Sequence, residues 1–199
     1  MRTINFNEQF FSNELDIPIL DITKQCSHVE YPFDIWGREN RSKKGIKTML
    51  FYCDDYRFSH IIQRPEILIE KGIINAAEIN YTVHTNMPFP LALYQTFKKR
   101  YVSRYMQEMG LNIMVDLNVP PVWQEMNLQG VPDGWNSYIC RGYDEVDWIV
   151  AAHETAKRKS GKDNPNMVVY GGSQQTRDYC QKNCIVYLKD VQITNTREK

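Results

Sequence analysis

The stretch FYCDDYRF ends a short apolar run on Cys53 and two adjacent carboxylates, Asp54 and Asp55. A further acid, Asp116, lies inside the apolar run IMVDLNV, two residues before Asn118. A carboxylate in such a run must be paired, bound to a cation or held neutral, because an isolated buried charge is too costly to keep. Arg141, at the end of NSYICRG, is a candidate partner, and an Asp–Arg pair with a purely structural role is the alternative to a catalytic acid. Two carboxylates on neighbouring elements can hold Mg²⁺ for phosphoryl chemistry, with Asn80, Asn118 or water as further oxygen ligands. They can also divide into nucleophile and general acid at a glycosidic carbon. His84, in the proline-punctuated TVHTNMPFP, is a candidate acid or base near neutral pH.

Two more segments carry candidate binding chemistry. VYGGSQQ sets Gly171, Gly172 and Ser173 at a helix start, where backbone N–H groups can receive a phosphate. It matches neither GxGxxG nor a Walker loop, so a plain strand-to-helix turn is the simpler account of it. In FKKRYVSRY, Lys98, Lys99, Arg100 and Arg104 interleave with Phe97, Tyr101 and Tyr105. Such mixing can grip a nucleic-acid backbone and stack bases. The same residues also fit a helix whose Phe97, Tyr101, Tyr105 and Met109 form a buried stripe with its charges on the wet face. Cys26, Cys53, Cys140, Cys180 and Cys184 are odd in number and read as free thiols, the CxxxC pair included.

Elements must position these residues, and their order is legible. The predicted strands are KTMLFYC (47–53), INAAEINYT (74–82), LNIMVDLNV (111–119), NSYICRG (136–142), NMVVYGG (166–172) and CIVYLKDV (184–191). Predicted helices alternate with them near 65–71, over 90–109 with Gly110 as the stop, from Asp144 as cap to Ser160, and over 174–182. The strands are continuous apolar runs rather than alternating ones, as in sheets covered on both faces. The pattern predicts an α/β fold with a mostly parallel sheet and alternating helices, closed either as a doubly wound sheet or as a small, incomplete βα barrel. Residues 1–45 are expected to form an N-terminal arm packed on a single α/β domain at 46–199, with IPILDI (17–22) as a short strand or extended segment and 38–45 as a surface loop. In either closure ligands sit beyond the carboxyl ends of the strands, where Asp54, Asp55, Asn80, Asp116, Asn118, Arg141 and Ser173 would emerge.

The 199 residues carry 24 basic and 24 acidic side chains, so net charge selects no partner. No apolar run approaches a membrane span, and the first residues lack a signal peptide's apolar stretch. The expected location is therefore the cytoplasm, with no membrane partner.

FYCDDYRF, TNMP, YMQEMGLNIMV and MVVYG, in this order and spacing over roughly 47–172, resemble a family of single-domain proteins of bacterial phages and mobile elements with no established activity. The resemblance implies an α/β fold and a phage or mobile-element origin, hence a host-cell cytoplasmic location. Where that family usually has Asp-Phe-Ser this chain has Asn80-Tyr81-Thr82, and Asp116 stands where relatives tend to have threonine. Two functions follow as expectations. One is an enzyme on nucleotides or nucleic acid, acting through carboxylates at the strand ends. The other is a non-catalytic accessory protein that binds single-stranded DNA or a host protein.

Overall fold

The computed structural model describes residues 10–38 and 45–190, so most of the expected loop at 38–45 lies outside the described residues. Seven strands pair in chain order, all parallel: β1 Phe33–Ile35, β2 Thr48–Leu50, β3 Asn75–Ala77, β4 Asn112–Asp116, β5 Tyr138–Arg141, β6 Met167–Tyr170 and β7 Val186–Leu188. Between them run α1 Ser59–Gln63, α2 Ile67–Glu70, α3 Phe89–Glu108, α4 Gln124–Asn127, α5 Asp147–Ser160 and α6 Gln174–Lys182. Right-handed crossovers in a consecutive strand order put every helix on one face, so the sheet curls into a half-barrel instead of winding in both directions.

Alternation along each strand separates two cores. Met49, Ala76, Ile113, Val115, Tyr138, Cys140, Met167 and Val169 point outward and pack with buried helix residues such as Val102, Met106, Ile149 and Cys180. Leu50, Tyr52, Ala77, Met114, Ile139, Val168, Tyr170 and Leu188 point inward and meet Ile35, Cys26 and Val29, with no helix residue among them. Both faces are apolar, which is why the runs look continuous in sequence. The curl is tight enough for Tyr52 on the β2 side to stack on Tyr170 of β6, centroids 5.7 Å apart and planes 3° from parallel. The interior is filled by its own side chains, as in small barrels.

The N-terminal segment does more than pack against the sheet, because its Phe33–Ile35 is the edge strand paired with β2. IPILDI forms no strand; Pro18 makes an isolated antiparallel bridge to Ser12, while Ile17 and Leu20 are buried. Gln107 of α3 ties this segment down, accepting from the Asp21 amide at 2.8 Å and donating to the carbonyls of Asp21 and Lys24. The expected cap of α5 also changes. The helix begins at Asp147 without a side-chain cap, and Asp144 instead offers its carbonyl to the Ser173 hydroxyl at 3.1 Å. Ser173 is itself the N-cap of α6, accepting from the Thr176 amide. All five cysteines are free.

Two features of this packing can be tested. A Cβ on Gly142 would stand 2.1 Å from the Gly171 carbonyl oxygen, a backbone atom that cannot swing aside. Gly142→Ala is therefore expected to destabilise by at least the ~1–3 kcal/mol usual for overpacking, read as a lower urea midpoint at unchanged slope. His153 is buried, its Nδ1 is 3.1 Å from the Tyr179 hydroxyl and its Nε2 has no partner among the described residues. Burial, and then Lys157, hold its pKa below the ordinary 6.5, with Glu154 opposing. The unfolded chain thus takes up a proton at His153 first, so stability is full above pH 6.5 and falls as pH drops below it. His153→Gln should flatten that part of the stability–pH curve.

Candidate functional site

Asp116 ends β4 with its side chain on the inner face, following Met114 by two residues. It is fully buried, and polar groups from several elements meet it. Lys99 of α3 donates to Oδ2 at 2.9 Å, the Tyr52 hydroxyl to Oδ1 at 3.0 Å and the Asn118 amide to Oδ1 at 3.2 Å. The Asp116 amide donates to Glu78 Oε2 at 3.1 Å. Glu78 follows β3 and pairs with Arg100, which also donates to the carbonyls of Asn127 and Gln129. The Lys99 ammonium completes its three bonds on the Asp116 carbonyl and on Asn127 Oδ1. Two cations and two anions, all essentially inaccessible, form one neutral and well-satisfied network.

The partner of Asp116 is therefore Lys99, not Arg141. Arg141 turns to the other side of the interior, where it meets Asp190 at 3.2 Å and lies over the Tyr170 ring at 5.4 Å. Tyr170 donates to Asp190 at 2.8 Å. The stacked tyrosines thus each carry a carboxylate on the hydroxyl and a cation beyond it: Tyr52–Asp116–Lys99, sealed, and Tyr170–Asp190–Arg141, whose arginine side chain is about one-third exposed (32%). Burial, then the Asp116 charge, push the Tyr52 phenol well above its usual pKa, so it stays protonated and donates.

Above this layer stand Asn80, Asn118 and Tyr143. Asn118 donates to Asn80 Oδ1 at 3.3 Å, and both amides are partly exposed. Tyr143 is 39% exposed. Burial raises its phenol, the hydrogen bond with Asn118 pulls it down, and Asp116 pushes it up again. These residues leave the ends of β3, β4 and β5, where parallel sheets present ligands.

The other predicted residues fall elsewhere on the rim. Asp54 is exposed and 3.9 Å from Arg57. Asp55 accepts from the Thr82 amide at 3.1 and 3.2 Å and from its hydroxyl at 2.9 Å, clasping the loop after β3 to the loop after β2. His84 is exposed, and its carbonyl accepts from the Trp123 indole at 3.0 Å. The Gly171 amide donates to Leu188 and that of Ser173 to Tyr143, so these two N–H groups are spent within the fold. A Cβ on Gly172 would stand 2.9 Å from Gly142 Cα, so close backbone approach accounts for the glycine. Lys99 and Arg100 are buried and cannot reach a nucleic acid as folded, Arg104 pairs with Glu108 at 2.6 Å, and Lys98 lies over the rings of Tyr81 and Tyr94.

Sequence reasoning passed over Glu78, Tyr52, Tyr143 and Asp190. Glu78 carried a usable signal, an acid inside the apolar NAAEIN, the same kind of anomaly that exposed Asp116. Among the described residues no three His, Cys, Asp or Glu side chains are grouped to hold a metal ion. Lys99 gives Asp116 the positive charge that Mg²⁺ would otherwise supply. No described helix is long and apolar enough to cross a membrane.

A family model described as Domain of unknown function (DUF4417) matches residues 10–134, more than half of the chain. That span holds the whole Lys99–Asp116–Arg100–Glu78 network and ends before β5. No curated protein matches, and no solved structure does.

Lys99→Met leaves Asp116 buried without its cation and is expected to cost about 3–5 kcal/mol, as removal of one partner of a buried pair does. The double variant Lys99→Met/Asp116→Asn should recover much of that loss. Urea midpoints of both measure it; an unchanged midpoint for Lys99→Met would show that the pair does not hold the strand end.

Proposed function

The chain belongs to the DUF4417 family, a domain of unknown function, and from that premise we propose that it is a phage- or mobile-element protein acting on a nucleotide at the open mouth of its half-barrel. One observation carries the reading: Asn80, Asn118, Arg141 and Tyr143, partly exposed, leave three successive strand ends above a buried charged layer. Arg141 is oriented in advance by Asp190 and the Tyr170 face, so little rotamer freedom is lost when a phosphate takes its remaining donors. The amides of Asn80 and Asn118 offer both donors and acceptors to a base edge or a sugar hydroxyl. The exposed Tyr143 ring offers a stacking face.

A nucleotide suits this rim better than a strand. Asp54, Asp144 and Glu145 are exposed on loops at the same end, with the exposed Asp147 in the first turn of α5, and they repel a polyanion. Asp116 and Asp55 are already engaged, so the guanidinium and the amides make the first contacts, and the Asp116–Lys99 pair sets the charge beneath them. The accessory reading rests on Tyr56 with Arg57 over its ring at 5.3 Å, and on Lys98 between two tyrosines, a cation–aromatic set that a single strand could use.

Isothermal titration with a panel of ribo- and deoxynucleotides tests the proposal. At least one is expected to bind, and Arg141→Ala and Asn118→Ala should each weaken it by roughly tenfold or more, the size of a lost charge-assisted bond, with the unfolding midpoint little changed for Asn118→Ala. No binding up to millimolar nucleotide rejects the reading. Tighter binding of a single-stranded oligonucleotide, weakening steeply with salt, would replace it with the accessory role.

A further inference from the structure

The end of the half-barrel opposite the mouth carries a cavity. The last turn of α5 comes just before β6, and the turn after α4 leads into β5, so both lie at the amino ends of the strands. Between them and the N-terminal segment opens a space of about 510 Å³, the size that holds a small organic molecule. Ile19, Leu128, Val131 and Pro132 give it an apolar lining. Its wall is held in place. The Gln129 carbonyl accepts from Arg100 at 2.9 Å, the Gly130 carbonyl from the Leu20 amide at 2.9 Å, and Asn13 donates to Gln129 Oε1 at 2.8 Å. Two ion pairs stand at its opening, Lys159 with Asp133 at 2.6 Å and Arg158 with Glu125.

We propose that this cavity binds a small amphiphilic carboxylate, its head on Lys159 and Arg158 and its hydrocarbon body on the apolar lining. The placement of the charges sets the sign of the head. The Lys159 side chain is 18% exposed, whereas that of Asp133 is 96% exposed. The positive end therefore adjoins the low-dielectric wall, and the negative end stands in water that screens it. Lys159 uses one of its three N–H donors on its carboxylate and Arg158 one of its five, so both keep donors for a ligand. Two carbonyls of the last α5 turn do not face an incoming anion, because those of Lys157 and Lys159 accept from the amides of Gly161 and Gly134. Exposed pairs such as these hold little stability, so a ligand head displaces Asp133 or Glu125 at small cost. The same two acids favour a singly charged head over a dianionic phosphate.

This inference does not depend on the nucleotide reading, and its test contains no nucleotide. The full chain is titrated calorimetrically at neutral pH with octanoate, 1-octanol and octylamine. Octanoate is expected to bind at one site per chain, and the alcohol and the amine each roughly tenfold more weakly or worse, the size of a lost charge-assisted bond. Lys159→Met keeps the stem, removes the charge and should weaken octanoate by a similar factor. Asp133→Asn removes the competing carboxylate, frees the ammonium and should tighten octanoate severalfold, a gain that no loss of folding can mimic. Binding of octanol or octylamine as tight as that of octanoate, unchanged octanoate affinity in either variant, or no saturable binding at millimolar octanoate overturns the proposal.

Discussion

The interior of this half-barrel is organised by a neutral group of four buried charges. Each ion taken from water costs several kcal/mol, and only complete hydrogen bonding returns it. Lys99 spends all three protons on oxygens of Asp116 and Asn127, and Arg100 spreads its donors over Glu78, Asn127 and Gln129. Those partners come from the ends of β3 and β4, from α4 and from the turn after it. A shift of α3 by one residue would leave both cations without acceptors. The network therefore fixes the register of α3 on the sheet, a specificity that apolar packing of similar volume would not supply.

The same network shapes what the mouth can present. Because Lys99 neutralises Asp116, the acid serves to hold Tyr52 and the Asn118 amide in place. Across the stacked rings, the Tyr170–Asp190–Arg141 set repeats the tyrosine–carboxylate–cation order, but its cation stands partly in water. One side of the layer is thus a sealed anchor and the other an oriented guanidinium. That asymmetry gives the rim a direction of approach, over β5 and between Asn118 and Tyr143.

Close backbone packing limits the remaining edge of the mouth. The loops after β5 and β6 approach so nearly that neither Gly142 nor Gly172 can carry a side chain, and the amides of Gly171 and Ser173 are used in joining β5, β6 and β7. The glycines serve the curvature of the sheet, and the ligand-facing groups are left to the strand ends on the other side.

The sequence by itself determined the six strands from β2 to β7, the span of α6 with Ser173 at its start, the stop of α3 near Gly110, and the parallel α/β class. Those follow from local chemistry: apolar runs of strand length, and glycines where the backbone must turn. It also marked Asp116 as anomalous, because a charge in an apolar run is costly wherever the chain goes. Only the tertiary structure decided which cation answers it, since Lys99 and Arg141 are equally capable donors and their places depend on how far the sheet curls. It decided as well that α3 buries Lys99 and Arg100, against the aromatic stripe, because helical periodicity reports the average polarity of a face and cannot show that acceptors from three other elements wait beneath it. And it drew β1 from the N-terminal segment, where three residues of strand leave too short a pattern to read.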